Sequence, residues 1–555
     1  DSSYFCTPVL LLKHKPMNQD PSTETLSAEA IQKQMLDDYR LICLSREASL
    51  LGRKEVLTGK AKFGIFGDGK ELAQIAMARQ FKKGDFRSGY YRDQTFMMAL
   101  GELTVQQYFA ALYAHADVNE EPTSGGRQMG GHYATRSLNP DGSWKNLMEQ
   151  NNSSADISPT AGQMPRLLGL AQASKVYRQN EALHSMTQFT DKGNEVAFGT
   201  IGDASTSEGL FWETMNAAAV LQVPMAMSIW DDGFGISVSR DFQTVKSNIS
   251  EALSGFQKQE GTNGVEIYRV KGWNYPDLLV TYEKAVKKCR KKHLPVLIHV
   301  QEVTQPQGHS TSGSHERYKT KEQLEWTEEY DCLNQFKKFL ILDGAASEDE
   351  LDAIRTETKK QVRQEQKAAW ISFRSGIDQD MDEAIAIMKA VAGNSANRSF
   401  AEPIIEGIRK TTEPIRKDIL AAARKILRIT RGEQSAQRQS LSIWVQNCIG
   451  ENNKRYSGLL YSESSQAVGN IASVPAEYAS EPEMVDGRLI LRDNFDALFT
   501  KYPEILTFGE DTGKIGGVNQ TMEGMQEKFG ELRVSDTGIR EATILGQGIG
   551  MALRG

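Results

Sequence analysis

Residues 196–238, VAFGTIGDASTSEGLFWETMNAAAVLQVPMAMSIWDDGFGISV, constrain the fold more than any other stretch. Val196 to Ile201 is a short apolar run that stops at Gly202-Asp203, as a buried parallel strand does. Ser205, Thr206 and Ser207 are N-cap candidates, and Glu208 adds a first-turn carboxylate. Apolar residues at helical spacing follow from Gly209 to Leu221. Pro224 then reopens the chain, and Met225 to Trp230 forms a second apolar run ending on Asp231 and Asp232. A strand–helix–strand crossover of this kind makes neighbouring parallel strands. Asp203 and Asp232 would then share the carboxyl edge of an α/β sheet, where such sheets bind ligands. Two carboxylates with a loop carbonyl such as that of Phe234 suit Mg²⁺ or Ca²⁺ holding a diphosphate. Acids after strands are also turn and cap residues, and for Asp203 alone both readings stand.

The rest of the chain is long enough for more than one domain. Its 555 residues, 39% hydrophobic and 25% charged, have the composition of an ordinary globular protein with substantial cores. A net charge of −7 argues against nonspecific nucleic-acid binding. Five scattered cysteines without a CxxC pair fit a reducing compartment and no structural zinc. No apolar run is long enough for a membrane helix, and Val9 to Leu12 is too short for a signal-peptide core. A cytoplasmic location is expected.

In chain order, Ser27–Leu51 predicts an amphipathic helix. Gly67-Asp68-Gly69 reads as an ordinary loop before a helix over 71–81. Strands are expected at 265–270 and 294–303, flanking a helix over 275–292 with a basic last turn. Helices follow from 322 to about 388. Another is expected over 413–431, with Pro414 in its first turn. Residues 432–483 lack periodicity and read as a connector. After Met484 come a helix over 487–502, a strand ending at Gly509-Glu510-Asp511, a strand at 533–534 and a Gly-Ala helix over 540–553.

Several of these segments resemble one family. Gly202-Asp203-Ala204 with Asp231-Asp232-Gly233-Phe234 is similar to the thiamine diphosphate motif, Gly-Asp-Gly followed by Asn-Asn, with Ala and Asp-Asp as departures. Ser88-Gly89-Tyr90-Tyr91-Arg92-Asp93 resembles the Tyr-Arg-Glu segment of 2-oxo acid dehydrogenase alpha subunits, where Tyr and Arg hold the diphosphate. GGRQMGGHYATR (125–136) and ISPTAGQMP (157–165) resemble further segments of those subunits, and TQPQGHSTSGSHERYKT (304–320) resembles their Gly-His-Ser loop. Residues 484–555 resemble the start of the beta subunit, with Glu541 matching the glutamate that bonds the cofactor's pyrimidine ring.

The resemblance implies an alpha subunit fused to a beta subunit: an N-terminal extension (1–40), an alpha-like diphosphate- and metal-binding domain (41–395), a helical and polar linker (396–483), and the start of a pyrimidine-binding domain (484–555). The implied fold is an α/β parallel sheet flanked by helices, followed by the start of a second such domain. The implied cofactors are thiamine diphosphate and Mg²⁺, with the metal on Asp203, Asp232 and the Phe234 carbonyl. Cofactor contacts are implied at Tyr91, Arg92, Ser158, Thr160, Gly202, Ala204, Ser205, His309 and Glu541, and catalytic roles at Glu541, His309 and His132. The implied reaction is oxidative decarboxylation of a 2-oxo acid, with acyl transfer to a lipoyl-bearing acyltransferase core by a homodimer of fused chains. The His-Ser-Thr-Ser loop points to the branched-chain, 2-oxoisovalerate type. Pyruvate and acetoin stay open, as do a transketolase-like carbon transferase and a cofactor-free scaffold. The beta-like part stops before its sheet could close, so a longer polypeptide is expected.

Overall fold

The computed structural model describes residues 27–311 and 315–555. Most of the expected N-terminal extension, and Ser312 to Ser314 of the histidine loop, lie outside the described residues. The first helix, Ala28–Leu57, is capped by Ser27 Oγ on the Ala30 amide and runs straight through residue 40. Its face of Met35, Tyr39, Ile42 and Cys43 belongs to the main core, so it is part of the domain.

Among the described residues ten strands appear in order: β1 (Phe86–Ser88), β2 (Asn152–Ser153), β3 (Ala197–Gly202), β4 (Met225–Trp230), β5 (Phe234–Gly235), β6 (Val238–Ser239), β7 (Glu266–Lys271), β8 (Val296–Gln301), β9 (Thr507–Gly509) and β10 (Val534–Asp536). Six form one sheet in the order β2-β1-β3-β4-β8-β7, and every pairing in it is parallel. Alternate side chains enter different cores, as the pleat dictates. Phe198, Ala226, Trp230, Ile298 and Val300 pack into one core; Ala197, Ile201, Met225, Met227, Ile229 and Leu297 pack into the other. Burial on both faces is why these strands read as continuous apolar runs.

The crossover between β3 and β4 is the helix Gly209–Leu221. Glu208, not the serine-threonine run, occupies its N-cap position. Residues Ala204–Ser207 form a 3₁₀ turn closed by the Thr206 hydroxyl on the Asp203 carbonyl.

The 46-residue helix Glu348–Gly393 links two cores: Leu351, Val362 and Ala369 join the main one, and Ile377, Ala384 and Met388 join a separate helical one. At 1.5 Å per residue it is roughly 70 Å long. Two expectations change here. Pro414 stands before the helix Arg416–Ile429, not in its first turn. The stretch expected as a connector begins with a helix, Ala436–Ser457, whose Leu441, Trp444 and Val445 are buried against its neighbours. Its many Gln, Ser and Asn residues thin the apolar stripe below recognition, and contact with the neighbouring helices holds it in place.

The beta-like segment carries a small parallel pair, β9 with β10, over Phe499, Met522, Met525 and Val534. Its last helix, Glu541–Ala552, packs along the helix Met164–Gln179. Gly546 meets Pro165, Gly550 meets Leu170 and Gly169, and Arg554 reaches Ser174, so the two helices run parallel. Arg554 is fully buried, 2.7 Å from Glu195.

Candidate active site

The carboxyl edge of the sheet opens into a cavity of about 550 Å³. Register puts the two aspartates there. Gly202 pairs with Trp230 across β3 and β4, the Asp203 amide continues onto the Trp230 carbonyl (3.2 Å), and the Asp231 amide onto the Val300 carbonyl (3.0 Å). Asp203, Asp232 and Phe234 all line the cavity, joined by Tyr91, Arg92, Thr160, Gly202, Ala204, Ser205 and His309.

Asp203 is 6% exposed, and its Oδ2 is buried without a hydrogen-bond partner. Burial, with Asp232 and Asp231 close by, pushes its carboxyl well above the ordinary value. An unpartnered buried carboxylate oxygen beside a second carboxylate calls for a cation. Two carboxylates with the Phe234 carbonyl would make a donor set of the hard-oxygen type that suits Mg²⁺. It is small: no cluster of three or more His, Cys, Asp or Glu side chains fit for a metal occurs among the described residues. Diphosphate oxygens would have to complete the coordination.

The adjacent acids face different ways. Asp231 does not line the cavity: His299 Nε2 lies 2.8 Å from its Oδ2 and Arg240 3.3 Å away. Burial alone would raise the Asp231 carboxyl, but the His299 hydrogen bond and charge, with Arg240, hold it below the usual range. Asp232 remains at the cavity, its Oδ1 accepting from the Phe234 amide at 3.2 Å.

Arg92 is placed differently from a simple phosphate clamp. Its guanidinium donates to the Phe66 carbonyl at 2.6 Å and to the His309 carbonyl at 2.9 Å, fastening the loop that carries His309. Burial and the neighbouring Arg92 push the His309 imidazole down to about 4, so it is neutral at pH 7. His132 does not line the cavity. It is buried, its Nε2 lies 2.9 Å from Ser158 Oγ, and its ring is 6.3 Å from that of Tyr91. Glu541 does not line the cavity either: it is exposed at the start of its helix. It stands five residues ahead of Gly546, the glycine that meets Pro165.

Sequence reasoning missed Lys70, Gln305 and Lys319. Gln305 and Lys319 line the cavity, and Lys70 reaches Asp232 from a turn 162 residues away in sequence. Nothing local to Lys70 marks it; only the tertiary contact does.

Residues 40–372 match the family described as dehydrogenase E1 component. The chain belongs to that family. Residues 483–555 match the transketolase pyrimidine binding domain, so this E1 chain joins an alpha-type part to a beta-like one. It is similar to the 2-oxoisovalerate dehydrogenase subunit alpha of Bacillus subtilis, 26% identical over 358 residues that cover 62% of this chain and 94% of that one. The pyruvate dehydrogenase E1 component subunit alpha of Acholeplasma laidlawii is 26% identical over 347 residues, 61% of this chain and 84% of that one. The pyruvate dehydrogenase E1 component subunit beta of Leifsonia xyli is 51% identical over 53 residues, 10% of this chain and 16% of that subunit. The E1 chain is thus a thiamine diphosphate-dependent enzyme component of the 2-oxo acid dehydrogenase class. Among the described residues, no helix is long and apolar enough to cross a membrane.

Proposed function

We propose that this E1 chain decarboxylates a branched-chain 2-oxo acid of the 2-oxoisovalerate type and passes the acyl group to a lipoyl-bearing acyltransferase core. Asp203, Asp232 and the Phe234 carbonyl would hold Mg²⁺, with Tyr91, Thr160, Gly202, Ala204 and Ser205 around the diphosphate. Thiamine diphosphate, when bound, supplies the electron sink for loss of carbon dioxide. The chain's own residues orient and shield. The neutral His309 imidazole can accept or donate a proton at the cavity it lines. Ser158 keeps His132 oriented through their hydrogen bond, Arg92 sets the position of the His309 loop, and Glu541 would engage the pyrimidine end. Homodimerisation and a cytoplasmic location belong to the same reading.

The observation that carries this reading is the buried, unpartnered Asp203 Oδ2 in a cavity that Asp232 also lines. The branched-chain preference rests on the Bacillus subtilis relative; the strong local identity to a pyruvate dehydrogenase beta subunit favours pyruvate as the second reading. Calorimetric titration of thiamine diphosphate with Mg²⁺ should give saturable heat that EDTA or Asp203→Asn abolishes. Wild-type protein giving no heat would leave a scaffold. Acylation of a free lipoyl domain from 2-oxoisovalerate, compared with pyruvate, separates the two substrates and excludes a transketolase-like transfer, which needs no lipoyl acceptor.

A further inference from the structure

Lys70 is 1% exposed, and its ammonium makes three contacts: Asp232 Oδ2 at 3.2 Å, the Thr304 carbonyl at 3.0 Å and Gln305 Oε1 at 2.5 Å. An ammonium has three N–H groups, so this one has a full set of acceptors. The turn that carries it is pressed onto the same loop. Gly69 has φ +87°, and a Cβ there would overlap the Thr304 carbonyl; the Gln307 amide donates to Asp68 Oδ2 at 3.0 Å. Buried charges persist where they are paired, and here the paired carboxylate is the second acid of the candidate metal pair.

The thiamine diphosphate motif has Asn where this chain has Asp232, which adds a negative charge beside Asp203. Asp231, the other replacement, is already matched by His299 and Arg240. Asp232 has Lys70. Resting on the function proposed above, we infer that Lys70 is a positioning residue that offsets the charge of Asp232 and fixes its carboxylate, so that the Asp203–Asp232 pair receives Mg²⁺ and a diphosphate as an Asp–Asn pair does. Lys70→Gln leaves two uncompensated carboxylates facing an incoming diphosphate. Asp232→Asn leaves a buried ammonium facing an incoming Mg²⁺. Making both changes removes both faults.

The test is a double-mutant cycle on the whole chain with Lys70→Gln, Asp232→Asn and the pair, read by Mg²⁺–thiamine diphosphate affinity in calorimetry and by the melting temperature of the cofactor-free protein. Each single variant should bind at least tenfold more weakly and melt lower than wild type. The pair should bind within threefold of wild type and recover most of the melting temperature. If Lys70→Gln alone does not fold, recovery of folded protein in the pair is the same rescue. A pair at least as impaired as the worse single variant overturns the inference, because a lysine serving only Thr304 and Gln305 cannot be rescued at Asp232. Wild-type protein that binds no cofactor would instead sink the proposed function. The melting-temperature cycle still decides on Lys70 in that case: rescue in the pair upholds the coupling and additivity overturns it.

Discussion

Gly550 lies so close to Arg166 that any Cβ on the glycine would overlap the arginine's carbonyl oxygen and come within 2.9 Å of Gly169 Cα. This contact holds the beta-like helix against the helix behind the candidate site. Backbone on both sides leaves no flexible side chain to yield. Gly550→Val should therefore destabilise the protein by about 1–3 kcal/mol, the usual range for overpacking. Urea unfolding measures the loss, and hydrogen exchange should rise over 541–552 and 164–179. Unchanged exchange in both helices would mean that they do not depend on each other.

Arg554 closes the same interface. It donates to Glu195 at 2.7 Å, to Ser174 Oγ at 2.8 Å and to the Leu170 carbonyl at 2.9 Å. Removing one partner of a buried ion pair leaves the other charge stranded, at a cost of about 3–5 kcal/mol. Arg554→Met should lower stability by that order, and Arg554→Met with Glu195→Gln by clearly less. Equal losses in denaturant titration would show that the pairing is incidental.

Arg92 joins Phe66 to His309 through two carbonyls, geometry that the planar guanidinium fork provides and a lysine cannot. Arg92→Lys should weaken thiamine diphosphate binding by roughly tenfold or more, the effect of losing one charged hydrogen bond of about 1.5–3 kcal/mol. Hydrogen exchange over 302–311 should rise in the cofactor-free protein. Weak binding with an unchanged loop would mean that Arg92 acts only on the phosphate.

His293 is buried, its Nε2 lies 2.8 Å from the Gly193 carbonyl, and burial with the nearby Arg178 pushes its imidazole down from 6.5 to about 4. The folded state therefore resists protonation while the unfolded chain takes up a proton near 6.5. Stability is unaffected by this group above that pH and falls as pH drops from about 6.5 to about 4. His293 has φ +50°, a conformation that asparagine tolerates. His293→Asn should flatten the acid slope of stability across that window by at most one proton's worth, about 1.4 kcal/mol per pH unit. Denaturant titrations at pH 7, 5.5 and 4.5 check it, and an unchanged slope would assign the acid sensitivity to other groups.

The central unit was readable because its chemistry is local. A parallel strand buried on both faces must be apolar throughout, so 196–201 and 225–230 announce themselves, and the acids that end them fall at the sheet edge by geometry alone. The helix expected over 27–51, which runs on to Leu57, and the helix over 275–292 were readable for the same reason. The helix Ala436–Ser457 was not, because it is held by packing on Leu441, Trp444 and Val445 and its own sequence is mostly polar.

At the site, the sequence by itself determined which residue types stand at the strand ends: Asp203, Asp232, and the loop with His309. Backbone periodicity and turn chemistry act over a few residues, and a single chain carries that information. Only the tertiary structure decided which charges meet. Asp231 turned to His299, Asp232 to Lys70 and Arg92 to two carbonyls, while Gly546 and Gly550 set the beta-like helix against a distant one. Such pairings depend on where distant segments lie once the sheet has formed, and spacing along the chain does not encode that distance.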